Sequence, residues 1–340
     1  MRVLVIGGTG FIGYHIVRAL QAQGDDVAVL CRDTAGVGEL FGDGVEALAG
    51  DVGQLQAADY AGLLRGVDGV VFAAGADERS EVRGDADTFF HEANVSPCAA
   101  LFAAAAEAGV RRAVLLNSIF AWLDREEPAL ALAKRHPYIR SRVEQDRVSH
   151  AAVSNSDTVL VTLHVPWVFG AAPHRESQWS ALVNYVRAGT PLMCIRGGAS
   201  MLSVQALAQA VVGALRYPQH SVSLPVGDEN LTYVQLMQRL CPIVGRKDCR
   251  VLPVSDGVFR DITALGHFVG VLFGKQVGIE LNGMAELLFR EIFIDSAATK
   301  AQLHVQGGDL DDALRDMVAI IPENALLGSW RKSLNWFSRE

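Results

Sequence analysis

Three side chains in this sequence are of the types needed to move a proton and a hydride together. Tyr138 and Arg142 lie four residues apart on a stretch of helical character that starts just after Pro137, and positions i and i+4 share one helical face. Ser118 follows the apolar run Ala113–Leu116. A strand of a parallel sheet delivers such a residue to the crevice at the sheet's carboxyl edge, where ligands bind. A phenol ordinarily has a pKa of about 10, and a neighbouring cation lowers it toward working pH. In this arrangement Tyr138 transfers the proton, Arg142 tunes it, and Ser118 holds a substrate oxygen by hydrogen bond.

A hydride needs a carrier, and the first thirty-three residues describe one. Arg2-Val3-Leu4-Val5-Ile6 is an apolar run of strand type, followed by Gly7-Gly8-Thr9-Gly10-Phe11-Ile12-Gly13 and a helical stretch from Tyr14 to Gln21. A second β-branched run, Val27–Leu30, completes a βαβ unit. Gly7 permits the tight turn, Gly10 lets backbone approach a pyrophosphate, and Gly13 lets helix and strand pack closely. Phosphates then sit at the helix N-terminus, among open N–H groups and the positive end of the dipole. The expected ligand is a dinucleotide, held by Gly7, Thr9, Gly10, Phe11, Ile12 and Gly13. After the second strand comes Leu30-Cys31-Arg32-Asp33, with cysteine where an NAD site usually places an acid. Arg32 beside it suits a 2′-phosphate, so NADP(H) is favoured over NAD(H). The alternative puts Asp33 on the ribose and leaves Arg32 in solvent.

Further short apolar runs, Val70–Gly75, Ala113–Leu116 and Val159–Leu163, alternate with helical stretches over Pro97–Ala108 and Tyr138–Ala152. This rhythm predicts an α/β fold, a Rossmann-type doubly wound parallel sheet with helices on both faces. Asp51-Val52 ends another strand, where the acid meets the adenine ring. From Ala171 onward glycine and proline rise, and helical segments (Gln178–Ala188, Val204–Tyr217, Tyr233–Cys241) are separated by turns. The expected division is a dinucleotide-binding domain over 1–170 and a smaller, mostly helical substrate lobe over 171–340, with strands free to return to the main sheet.

Composition narrows the partners. A net charge of −8 over 340 residues argues against a nucleic-acid surface. Five cysteines without C-x-x-C spacing indicate neither a disulfide framework nor a zinc site, and the histidines lack metal-ligand spacing, so no metal is expected. The first strand begins at residue 2, which leaves no room for a signal peptide. A reduced, cytoplasmic setting is therefore expected. Ile262–Gly274 is strongly apolar but thirteen residues long, against about twenty for a membrane span. It reads as a buried core helix, with the wall of a greasy substrate pocket or a membrane-surface contact as the sharper alternatives.

Taken together, these segments resemble the extended short-chain dehydrogenases/reductases. The branch is the one holding epimerase/dehydratase-like proteins, dihydroflavonol reductases and 3β-hydroxysteroid dehydrogenases. Gly7–Gly13 resembles that family's cofactor loop, Asp51-Val52 its adenine-side acid, Ala73-Ala74-Gly75 its cofactor-lining turn, and Asn94-Val95 its central-helix asparagine. Ser118 resembles the active-site serine, and Tyr138-x-x-x-Arg142 the Tyr-x-x-x-Lys helix. Val165–Gly170 resembles the RPxxVYG segment, with His164 in place of its arginine. Asp295–Leu303 resembles the C-terminal D-x-x-K-A-x-x-x-L element, with Lys300 in register.

The resemblance implies cofactor contacts from Asn94, Tyr138, Arg142, Pro166 and Val168, and a homodimer through the two central helices, although core packing explains the same apolar faces. Arginine at 142 departs from the family's lysine, and Ser203-Val204-Gln205 departs from its V-D-D. The expected activity is reduction of a ketone, or oxidation of the alcohol, on a hydrophobic small molecule. Two rivals stand beside it. One is a nucleotide-sugar epimerase or dehydratase, for which Arg175, Arg187 and Arg196 are the cations at hand. The other is a non-catalytic NADP-binding regulator or scaffold.

Overall fold

The computed structural model describes residues 1–82, 84–188, 191–247, 249–254 and 286–323. The first strand, β1 (Arg2–Ile6), is apolar from Val3 to Ile6 because it is buried there on both faces, as a parallel strand between helical layers must be. Side chains alternate across it. Val3 and Val5 join one core with Ile16, Val17 and Leu20, while Leu4 and Ile6 join the opposite core with Tyr60, Leu101 and Phe102.

Beside β1 lie β2 (Asp26–Cys31), β3 (Val45–Ala49), β4 (Gly69–Phe72), β5 (Arg112–Ser118) and β6 (Val159–Val165). A seventh strand, β10 (Val222–Pro225), closes the edge in the order β10-β6-β5-β4-β1-β2-β3, all pairs parallel. The order reverses between β1 and β4, which opens a crevice at their carboxyl ends. Residues beyond 170 build this unit too. β10 is part of the sheet, and Val204, Leu207 and Val211 of the helix Val204–Ala214 share the core of Val3 and Val5.

The remaining elements form a smaller layer. Helices Ser180–Ala188, Tyr233–Ile243 and Leu310–Ala319 enclose a separate core around Phe169, Met201, Leu236 and Met317. Short strands lie among them. β7 (Trp167–Phe169), β11 (Glu229–Thr232) and β13 (Glu291–Ile292) pair with β9 (Gly198–Ser203), and β8 (Leu192–Ile195) pairs with β12 (Val251–Val254). Lys300, on the helix Ala297–Leu303, ion-pairs with the nearly buried Asp228 at 3.3 Å. Asp228 in turn accepts from Ser203 N and Oγ at 2.9 and 2.8 Å. Lys300 is thus tied to the residue that caps the helix Val204–Ala214.

One cysteine expectation is corrected. Cys241 and Cys249 are joined by a disulfide, while Cys31, Cys98 and Cys194 are free and buried. The pair is separated by eight residues, a spacing with no motif. Only the turn after the helix Tyr233–Ile243 brings the two Cα atoms to 6.2 Å. Among the described residues no helix is long and apolar enough to cross a membrane. Ile262–Gly274 lies outside the described residues.

Candidate active site

The glycine loop leaves β1 at the crevice. Gly7 has φ of +82°, and a Cβ there would lie 2.7 Å from the Ala73 carbonyl oxygen. A Cβ on Gly13 would lie 2.1 Å from the Gly7 carbonyl oxygen, so the helix Phe11–Ala22 can start this close to the strand only with glycine at 13. Gly10 caps the helix without a side-chain bond, and no acid sits in the first turn. First-turn N–H groups are thereby left for an anion. Gly10, Phe11, Ile12 and Gly13 line a groove of about 330 Å³ together with Ala73, Ala74, Gly75, Pro166 and Val168. The Thr9 carbonyl faces Arg175 instead, accepting from its Nε and Nη2 at 3.1 and 2.8 Å.

Arg32, Asp51 and Val52 stand outside that lining, past the ends of β2 and β3. Arg32 is exposed, while the Asp33 carboxylate accepts the Ala35 N–H at 3.0 Å, a local turn bond. Asp51 does the same for Gly53 at 3.1 Å.

Ser118 ends β5 and caps the helix Ile119–Glu126, its Oγ accepting from Phe120 N at 3.2 Å. The same hydroxyl hydrogen-bonds Tyr138. Asn117 Oδ1 accepts from Ser118 N at 2.6 Å, and His164 Nδ1 lies 3.2 Å from the Ser118 carbonyl oxygen. Burial pushes His164 down to about 4. A neutral ring facing a carbonyl must carry its proton on Nδ1. The residue at the family's arginine position is therefore an uncharged brace under Ser118.

Tyr138 and Arg142 share a face of the helix Pro137–Val153, with the Arg142 Cζ 5.3 Å from the centre of the Tyr138 ring. Tyr138 is 3 % exposed and packs edge-to-face on Phe90 at 5.5 Å. Its pKa runs against the expectation. Burial raises it, and this outweighs the Arg142 charge and the hydrogen bonds from Ser118 and Arg142, which lower it; Glu78 raises it further. The sequence pattern displayed the cation but not the apolar pocket of Phe90, Ile119 and Leu287 around the ring. Arg142 donates to the Ala76 carbonyl at 3.0 Å and to Gln145 Oε1 at 2.9 Å, while its buried Nε has no partner among the described residues.

Asn94 is wholly buried on a π-helical turn, His91–Val95, and does not line the groove. Its Oδ1 accepts from Ala76 N at 2.9 Å, and its Nδ2 donates to Ala76 O and Ser141 Oγ at 3.2 and 3.1 Å. Its contact with the cofactor-lining turn is thus a clamp on the backbone beside Gly75, where a Cβ would lie 2.5 Å from Asn94 Oδ1. Gln145, absent from the sequence reading, links Arg142, Asn117, Asn94 O and Cys98. Its spacing was a usable signal, since position 145 continues the helical face of 138 and 142.

The chain matches the NAD dependent epimerase/dehydratase family over residues 3–224, from β1 into β10. It belongs to that family. It is accordingly an NAD(P)-dependent enzyme of the extended short-chain dehydrogenase/reductase superfamily. A ceramide reductase from Caulobacter vibrioides is 26 % identical over 251 residues, covering 72 % of this chain and 71 % of the relative. The crystal structure of gox2253 superposes with a TM-score of 0.76 at 20 % identity, covering 93 % of this chain and 96 % of the other. A UDP-glucuronic acid 4-epimerase from Bacillus cereus, solved with NAD, superposes at 0.66 and 14 % identity, covering 94 % and 98 %.

Beside the glycine-loop groove this epimerase/dehydratase-family enzyme has a second cavity of about 230 Å³. Phe120, Pro166, Trp167, Gln178 and Trp179 border both spaces. Tyr233 stacks on Trp167 at 4.9 Å, and Trp179 stacks on Phe169 at 4.8 Å. Leu287, Leu288 and Ile292 extend the apolar lining. Among the described residues Arg79 is the one arginine lining it, and it is ion-paired with Asp77 and with Glu78.

Proposed function

We propose that this enzyme uses NADP(H) to reduce a ketone, or oxidise the matching alcohol, on a hydrophobic small molecule. The aromatic cavity beside Ser118 and Tyr138 carries this reading, because sites for apolar molecules combine greasy walls with a few polar anchors. Of the cations a sugar diphosphate would want, Arg187 donates to the carbonyls of Ile321 and Pro322 at 3.0 and 3.1 Å and Arg175 to that of Thr9, and neither these two nor Arg196 is among the residues lining the aromatic cavity. A relative named for reducing ceramide, a lipid, favours the same class.

A reduced nicotinamide in the groove supplies the hydride. The Ser118 hydroxyl, bonded to Tyr138 before substrate arrives, turns to the carbonyl oxygen, and Tyr138 delivers the proton that completes the alcohol. The raised pKa keeps Tyr138 protonated at neutral pH, which suits reduction. Arg142, which lines the groove, would hold the nicotinamide ribose, and its charge lowers the Tyr138 pKa.

Two measurements test the reading. With NADP present, aromatic or polycyclic ketones should raise the melting temperature, by the equivalent of about 2.7 kcal/mol at a hundredfold excess over Kd. Stabilisation by nucleotide sugars alone would decide for an epimerase. For the cofactor, NADPH should bind on the order of tenfold or more tighter than NADH, since one charge-assisted phosphate bond is worth about 1.5–3 kcal/mol. Arg32→Ala should remove that margin and leave NADH binding nearly unchanged. Equal affinities in the wild type, read by calorimetry, would refute the NADP assignment.

A further inference from the structure

Arginine at position 142 needs more partners than the family's lysine. An ammonium gathers its three donors at one point, whereas a guanidinium spreads five over a plane and keeps its charge. Arg142 is only 8 % exposed, so those donors call for acceptors inside the protein. Nη2 takes the Ala76 carbonyl at 3.0 Å, and Nη1 takes Gln145 Oε1 at 2.9 Å. The second acceptor comes from the same helix, three residues on, where it shares the face of Arg142.

Gln145 is wholly buried, and both ends of its amide are engaged. Oε1 also accepts from Asn117 Nδ2 at 3.3 Å, while Nε2 donates to Asn94 O at 2.9 Å and to Cys98 Sγ at 3.1 Å. A guanidinium only donates and a carbonyl only accepts, so these neighbours allow the amide one orientation. A carboxylate at 145 would set an anionic oxygen against Asn94 O and oppose the Arg142 charge. An apolar side chain would leave Nη1 buried without its acceptor. The neutral amide holds the guanidinium and leaves its charge to act on Tyr138. Asn117 extends the hold, since its Nδ2 also donates to Arg142 O at 2.9 Å and its Oδ1 accepts from Ser118 N.

We propose that Gln145 is a positioning residue for the reaction, one that fixes the Arg142 guanidinium beside the Tyr138 ring and lets arginine stand where the family has lysine. The proposal rests on the roles assigned above to Arg142. Released from Gln145, the guanidinium keeps its anchor at Ala76 and swings from the phenol toward the groove it lines. Cofactor binding and the phenol's acidity then change together. Glu78, the other charge acting on the phenol, lies on a different segment and is left in place.

The test is a double-mutant cycle of the wild type, Gln145→Met, Arg142→Met and the double variant. NADPH is titrated into each, and kcat is followed against pH for the alcohol that matches a ketone stabilising the wild type. Methionine has the length of glutamine without its polar end. Gln145→Met should weaken NADPH on the order of tenfold, as loss of one hydrogen bond to a charged group does, and should move the oxidation plateau to higher pH. Added to Arg142→Met, the same change should alter neither readout further, because the group it positions is gone. An equal loss of affinity in both backgrounds would overturn the proposal, since a residue that merely packs the helix acts without regard to Arg142. Wild-type affinity in Gln145→Met would overturn it too. The NADPH cycle decides alone if the wild type oxidises no alcohol. Gln145→Glu serves if the methionine variant does not fold. It keeps an acceptor for Arg142 and opposes its charge, so NADPH should again bind more weakly and the plateau should rise; unchanged values would sink the contact. Failure of the wild type to bind NADPH would instead bring down the cofactor reading, and the positioning role with it.

Discussion

Tyr138→Phe should lower turnover by roughly 10²–10⁴-fold, the usual contribution of a positioned proton donor, while NADPH binding is retained. The measurement is kcat on a responsive ketone beside a cofactor titration. Phenylalanine keeps the ring, so the packing on Phe90 and the Arg142 contact over the ring face survive. What disappears is a hydroxyl held between Ser118 and Arg142. Ser118→Ala should cost less, because it removes one hydrogen bond to the substrate oxygen and leaves the proton in place. A Tyr138→Phe enzyme that turns over at the wild-type rate would show that the chemistry lies elsewhere. A wild type that binds NADPH but reduces no ketone, alongside an equally inert Tyr138→Phe, would favour the regulator reading.

The parts of this site that were legible in the sequence are those where one backbone element dictates the geometry. Gly7 and Gly13 stand where any Cβ would strike the loop, and a strand-loop-helix pattern displays that need directly. Tyr138 and Arg142 meet because a helix repeats every 3.6 residues. Burial and side-chain networks are different, since they depend on elements far apart in the chain. Leu287 joins the apolar cluster of Tyr138 from almost 150 residues away, and burial of this kind, which no local pattern displays, raises the phenol's pKa. The aromatic wall had the same obscurity. Trp167, Trp179 and Tyr233 come from a strand, a loop and a helix start, so no periodicity links them. Short strands such as β8, four residues long, give too few positions for alternation to show. Arg175 illustrates the limit best. Its place in the sequence suggested the substrate lobe, and only the fold turns it toward the glycine loop.

Removing the charge at 142 should separate the two directions of the reaction. In alcohol oxidation Tyr138 must first lose its proton, so the rate climbs with pH to a plateau set by the phenol. Burial holds that pKa high and Arg142 pulls it down. Arg142→Met therefore moves the oxidation plateau to higher pH, and below the plateau each unit of movement costs about tenfold in rate. Reduction responds differently. Tyr138 is already protonated at neutral pH, so a further rise leaves its loading unchanged, and any loss there reports the missing ribose contact. Arg142→Lys completes the comparison. An ammonium keeps the charge, so the oxidation profile should stay near that of the wild type. It cannot reproduce the fork that reaches both Ala76 O and Gln145 Oε1, so kcat should fall in both directions without a large change in pH dependence. Profiles of kcat against pH, run in both directions for the three proteins, check all of this. An Arg142→Met enzyme whose oxidation plateau sits where the wild type's does would mean that Arg142 holds the turn at Ala76 and has no influence on the proton.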